Sequence, residues 1–202
     1  MAGHAGANMA GWFKAPLQSL ASLSGVKIRT AGLGGEIYRR LGATTVTLPP
    51  TEIFGALQTG VIDAVEFLGP FSDRSLGFDQ VANHYYFPGF NKPNGTAEAL
   101  INANLWASLS DDLRAAVRNA CDAENDAGLA EATWFNTQAL AALRGGSTRI
   151  EALPDDIVEA AHATSVEVLA DYADKDAMTR RVDTSYRSAL DALSGWERLN
   201  QG

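Results

Sequence analysis

The chain has 202 residues, 46% apolar and 20% charged, with a formal net charge of −8. That length can bury a sizeable core in one or two domains, and the composition is neither collagen-like nor disordered. The acidic balance excludes the basic footprint of a nucleic-acid binder, and no lysine-rich run addresses an anionic lipid surface.

The first residues, M-A-G-H-A-G-A-N-M-A-G-W-F, have neither a basic n-region nor an apolar h-region, so they do not read as a secretory signal peptide. They read as a glycine-rich loop running into Trp12 and Phe13, part of a structure whose beginning lies earlier. Three β-branched runs follow, Val26–Thr30, Thr44–Leu48 and Val61–Leu68, alternating with two helical patterns. The first helix carries Leu33, Ile37 and Leu41 as one stripe and ends at Gly42. The second is expected to start at a Thr51 N-cap and to end at Gly60.

Phe71–Phe78 is expected to be a short helix, with further strands at Tyr85–Phe87 and Ala97–Asn102. From Ser110 the chain turns helical. Asp111–Leu143 reads as one long helix or a kinked pair, with Leu113, Val117, Cys121, Trp134, Phe135, Leu140 and Leu143 facing inward. The single cysteine, Cys121, excludes an intrachain disulfide and a cysteine-built zinc site. A short strand at Ser147–Glu151 and two helices, from Pro154 and over Ala177–Leu199, close the chain. No apolar stretch approaches the ~20 residues of a membrane span. The order implies an α/β ligand-binding lobe over 1–108, built on a parallel-strand core, and a helical region over 109–202.

Strands alternating with helices imply a parallel sheet, whose ligands sit outside the carboxyl ends of the strands. Arg29 ends the first run and Glu66 nears the end of the third, so one cation and one anion reach the same crevice. Guanidinium suits bidentate carboxylate recognition, although a lone arginine also serves as a surface charge or structural ion pair. Glu66 lies in the apolar run V-I-D-A-V-E-F, where a carboxylate is costly unless paired or metal-bound. It reads either as a ligand or cation binder or as the buried partner of Arg29 or Arg74; Asp63 reads as a structural cap. Gly32-Leu33-Gly34-Gly35 lacks the dinucleotide pattern and suits a tight turn beside a small ligand. His4, His84 and His162 have no metal-ligand spacing, and no nucleophile elbow is present.

Taken together, K-I-R-T-A-G-L-G-G-E-I-Y-R-R-L-G-A-T, P-T-E-I-F-G-A-L-Q-T-G-V-I-D-A-V-E-F-L-G-P, Y-Y-F-P-G-F and I-N-A-N-L-W-A-S-L resemble the extracytoplasmic solute-binding proteins of TRAP transporters. The similarity runs from Asn8 to about Arg187 and is strongest to the branch that binds 2-oxo and 2-hydroxy acids such as pyruvate and lactate. It implies a periplasmic-binding-protein-like fold of two α/β lobes closing on a carboxylate, which Arg29 would pair, and delivery to membrane permease subunits without catalysis. It also implies a sodium or calcium ion bridging ligand and protein, held by Asn8, Glu66 and the Phe67 backbone carbonyl; oxygen ligation suits a hard cation. The branch carries Gln where Asn8 stands and Trp where Phe67 stands, which alters the metal site and the pocket wall.

Two lobes would exceed this length, so the resemblance implies that the amino-terminal lobe is missing, that the periplasmic location belongs to a full-length parent, and that these residues alone bind weakly or not at all. A homodimer through the carboxyl-terminal helices is a further expectation, with Val182, Tyr186, Leu190, Leu193 and Trp196 on the last one. Two other readings stay open: a small-carboxylate enzyme with Glu66 as base and Arg29 as clamp, or a non-functional truncated remnant.

Overall fold

A computed structural model describes residues 2–91 and 94–200, without the side chains of 196–200, Trp196 among them. Six strands form the main sheet: β2 (Gly11–Phe13), β3 (Lys27–Arg29), β4 (Thr44–Val46), β5 (Ala64–Val65), β6 (His84–Phe87) and β8 (Arg149–Ala152), in the spatial order β4-β3-β5-β2-β6-β8. β3 pairs in parallel with β4 and β5, and β6 in parallel with β8. β2 runs antiparallel to both its neighbours, so the parallel core is two parallel blocks joined by one reversed strand. A two-stranded antiparallel ribbon pairs β1 (Gly3–Gly6) with β7 (Gly95–Ala97).

Side chains alternate across a strand, and both faces of this sheet are covered. Phe13, Ile28, Ala64 and Tyr86 point to one face, where Tyr38 of α1 (Gly32–Arg40) and Ile157 of α6 (Asp155–Ala173) pack. Trp12, Val65 and Tyr85 point to the other, against Ile53 and Leu57 of α2 (Pro50–Thr59), Phe78, and Leu143 at the end of α5 (Asp111–Arg144). The short helix α3 (Pro70–Ser75) follows β5, the short helix α4 (Ala103–Ser108) precedes α5, and α7 (Ala177–Asn200) ends the description. Among the described residues no helix is long and apolar enough to cross a membrane.

Several expectations need correction. The glycine-rich stretch before Trp12 is not all loop: Gly3–Gly6 is strand β1, and Gly11 opens the reversed central strand at φ 130°, its backbone against Val65 and Glu66. The third run supplies only the two paired residues of β5, and strand β7 ends at Ala97, where Ala97–Asn102 was expected to begin one. α2 starts on Pro49 as N-cap with Pro50 at its first position, which displaces Thr51. Leu33 is exposed on α1. On α5, Leu113, Trp134 and Phe135 are exposed. The face of α5 against β1 carries small and polar residues instead; at Gly128 an added Cβ would approach the His4 backbone. Close backbone approach selects small residues there, so an apolar-periodicity reading finds the buried Leu143 but misses the face against β1.

Gly11 is the tightest of these contacts, since a Cβ would collide with the Val65 carbonyl at a φ that L-residues rarely adopt. Gly11→Ala is expected to lower the unfolding free energy by about 2 kcal/mol or more. Urea denaturation checks this, and an unchanged midpoint would contradict the placement of β2.

Candidate functional site

The carboxyl ends of β3 and β5 lie side by side, with Arg29 opposite Val65 and the Glu66 N–H donating to the Arg29 carbonyl at 2.9 Å. Ile28 points into the core, so the strand pleat sends Arg29 to the opposite face. There the guanidinium is half-buried. Its Nε donates to the Leu48 carbonyl at 3.2 Å, its Nη1 donates to the Glu66 carbonyl at 3.1 Å, and its Cζ lies 5.2 Å from the centre of the Phe67 ring. Burial lowers the Arg29 pKa, and the nearby Glu66 charge works the other way. An arginine stays charged through such a shift.

Glu66 is 2% exposed, and its Oε2 accepts the Thr30 hydroxyl at 3.1 Å. Thr30 is itself buried directly after β3, so the strand that carries the cation also orients the carboxylate. Of the two pairings considered for Glu66, Arg29 is the neighbour, reached through the Glu66 backbone carbonyl. Asp63 is structural as expected, its Oδ2 accepting the Lys27 N–H at 3.0 Å.

Asn8 reaches the same corner through β2. Trp12 pairs with Val65 and Phe13 with Ala64, and the Met9 N–H donates to the Leu68 carbonyl at 3.0 Å. Continuing that antiparallel register places the Asn8 backbone next to the segment 66–69. The Asn8 side chain is 7% exposed, and neither its Oδ1 nor its Nδ2 has a hydrogen-bond partner among the described residues. A buried amide without partners costs about 1–3 kcal/mol. Arg29, Glu66 and Phe67 therefore meet at one corner, and the Asn8 backbone runs beside it.

Among the described residues no three His, Cys, Asp or Glu side chains cluster closely enough to hold a metal. Any cation here would rely on amide and backbone oxygens around one carboxylate. Asn8 Oδ1, the Glu66 carboxylate and the Phe67 carbonyl are all hard oxygen donors, and the unpartnered Asn8 amide fits that role.

Sequence reasoning missed Asp73. It is fully buried on α3, and its Oδ2 accepts Trp12 Nε1 at 3.1 Å and the Tyr85 hydroxyl at 2.8 Å. Its Oδ1 accepts the Leu68 N–H at 3.1 Å, and Trp12 stacks on Tyr85 with ring centroids 4.1 Å apart. The signal that could have found it is the aromatic pair, since buried Trp and Tyr polar atoms need an acceptor. Burial pushes the Asp73 carboxyl up to about 7, against the pull of its three donors.

Comparison with known proteins adds to this geometry. Residues 2–176 match the family model described as bacterial extracellular solute-binding protein, family 7. The chain is 35% identical over 200 residues to the monocarboxylate 2-oxoacid-binding periplasmic protein of Nostoc sp., covering 99% of this chain and 55% of that protein. It thus spans about half the length of that curated relative. It superposes with a TM-score of 0.94 on a TRAP transporter solute-binding protein from Bordetella bronchiseptica, at 29% identity over 98% of this chain and 59% of that one. That protein is a mixed-occupancy dimer with copurified calcium and picolinate in one site and the other site apo. A TRAP periplasmic solute-binding protein from Pseudoalteromonas atlantica, with bound sodium and pyruvate, superposes at 0.89 with 27% identity, over 98% of this chain and 60% of that one.

A carboxyl whose folded pKa lies above its unfolded one stabilises most at low pH, and that contribution is lost as pH rises through the folded value. For Asp73 the loss falls between about pH 4 and pH 7, with a limiting slope of about 1.4 kcal/mol per pH unit. Asp73→Asn is expected to flatten the pH dependence of unfolding in that window relative to wild type. Parallel stability curves for the two proteins would contradict it.

Proposed function

We propose, for a chain that belongs to bacterial extracellular solute-binding protein family 7, that the protein carrying it is the solute-binding subunit of a TRAP-type secondary transporter. The family is one of periplasmic solute-binding proteins rather than enzymes, and TRAP members deliver small organic acids to membrane permease subunits. The ligand we assign is a 2-oxo or 2-hydroxy monocarboxylate such as pyruvate or lactate, bound in the periplasm, by lobe closure and without chemical conversion. Residues 1–108 supply most of the ligand-binding lobe, and 109–202 add the long helix α5, strand β8 of the same sheet and the helices α6 and α7.

The observation that carries the reading is the Arg29 guanidinium, steadied by two backbone carbonyls under an aromatic ring beside a buried carboxylate. A fork held this way meets a carboxylate with little loss of side-chain freedom. Glu66 alone would repel the same anion. Glu66, Asn8 and the Phe67 carbonyl would hold a calcium or sodium ion. Such an ion would offset that charge, sodium by cancelling it and calcium by reversing it, and would supply a Lewis-acidic contact for the anion. The relatives with 2-oxoacid, pyruvate and picolinate ligands, and with calcium or sodium, support this choice of ligand and cation.

Relative to wild type, Arg29→Ala is expected to weaken pyruvate binding by a hundredfold or more, measured calorimetrically on the complete natural protein that carries this chain. Chelation of divalent ions in sodium-free buffer is expected to weaken it as well. Unchanged affinity in Arg29→Ala would reject the anchor.

A homodimer through α7 is a companion proposal, supported by the dimeric relative and by Val182, Tyr186, Leu190 and Leu193, which are exposed at helical spacing. Leu190→Asp is expected to shift the sedimenting species from dimer to monomer. A wild-type protein that sediments as a monomer at tens of micromolar would contradict it.

A further inference from the structure

We propose that Asp73 is a positioning residue for the cation site: by accepting the Leu68 N–H it orients the Phe67 carbonyl toward the ion. The inference rests on the reading of a cation held by Asn8, Glu66 and Phe67. It starts from one peptide unit. The Phe67 carbonyl and the Leu68 N–H belong to the same planar trans amide, so their directions are locked opposite one another. Fixing where the N–H points fixes where the carbonyl points.

The Leu68 N–H is directed at Asp73 Oδ1 at 3.1 Å. The other side of Leu68 is also held, its carbonyl accepting the Met9 N–H at 3.0 Å, one residue from Asn8. The peptide that carries one proposed ligand is thereby bonded to the chain that carries another.

Asp73 itself has a fixed frame. Trp12 Nε1 from β2 and the Tyr85 hydroxyl from β6 both donate to its Oδ2, and the residue is fully buried. The carbonyl is therefore oriented from the middle of the sheet although it lies in a connecting segment. An acidic acceptor on the N–H also polarises the amide and raises electron density on its oxygen, which strengthens that oxygen as a ligand for a hard cation. Groups that orient metal ligands in this way typically change affinity by 10–100-fold when removed.

The substitution Asp73→Asn reverses this arrangement selectively. Trp12 and Tyr85 present two donors on one side and Leu68 presents one on the other. The amide oxygen of Asn satisfies the larger set by facing the aromatics, which turns its NH2 toward the Leu68 N–H, donor against donor. Tyr85→Phe is the control, because it removes a buried hydrogen bond at the same carboxylate and leaves the Leu68 contact in place.

The experiment titrates calcium alone into the complete natural protein that carries this chain, at pH 8, for wild type and both variants. Backbone NMR follows the Leu68 amide and the Phe67 carbonyl carbon. Asp73→Asn is expected to bind calcium at least tenfold more weakly and to shift the Leu68 amide proton upfield without metal, while Tyr85→Phe, which keeps both the Trp12 and the Leu68 bonds of Asp73, weakens binding clearly less. Wild-type affinity in Asp73→Asn, or equal weakening in Tyr85→Phe, would overturn the proposal and leave the cation reading standing. Should Asp73→Asn fail to fold, the wild type decides: the Leu68 amide and the Phe67 carbonyl carbon must move together on calcium addition, and calcium binding that leaves Leu68 unmoved overturns the proposal. A wild type that binds neither calcium nor sodium, with or without pyruvate, overturns the cation reading and this inference with it.

Discussion

Everything at the site depends on the antiparallel register between β2 and β5, in which Trp12 faces Val65. Parallel pairing of β3 with β5 is enough to bring Arg29 beside Val65 and Glu66. It cannot bring Asn8, which lies far away in sequence from both. Only a reversed strand places its amino-terminal end at the carboxyl ends of its neighbours. A shift of one residue would turn Trp12 and Phe13 to the wrong faces and move Asn8 away from the Glu66–Leu68 segment. The two aromatics hold the register, Trp12 in one core layer and Phe13 in the other, and Gly11 lets the backbones approach.

Electrostatics then decides what such a corner can bind. Two carboxyl groups, Glu66 and Asp73, are buried within a few residues of one another in sequence, and Glu66 lies near the half-buried Arg29 guanidinium. Asp73 is satisfied internally by three donors. Glu66 is held by Thr30 and faces the Arg29 side, where the field combines a fixed cation with an acidic wall. A simple anion site would have no use for that wall. A carboxylate bridged to it by a metal ion would, and this chemical asymmetry favours a cation-assisted organic acid over an unassisted one.

Much of this was legible in the residues. β-branched runs broken by Gly and Pro located β3, β4, α1 and α2, and the parallel-sheet rule then put Arg29 and Glu66 at one edge. The illegible parts share a cause. β2 hides in a glycine-rich segment because its backbone must approach β5 closely, and glycine is what strand propensity discounts. The inward stripe of α5 hides because it packs backbone to backbone with small residues and leaves Trp134 and Phe135 outside. Asp73 sits in P-F-S-D-R-S, an ordinary acidic helix start, and its importance arises from two aromatic partners, one of them 61 residues away in sequence. Local patterns report local structure; a polar group buried by distant partners leaves no local trace.

The central claim is that this register assembles one oxygen-lined cation site next to the Arg29 anchor. Anomalous diffraction from crystals of the complete natural protein grown with calcium and pyruvate tests it most directly. The account predicts a calcium peak at about 2.3–2.6 Å from the Glu66 carboxylate, the Phe67 carbonyl and Asn8 Oδ1, with the pyruvate carboxylate on Arg29. A calcium ion elsewhere, or pyruvate bound away from Arg29 with no ion between it and Glu66, would contradict it.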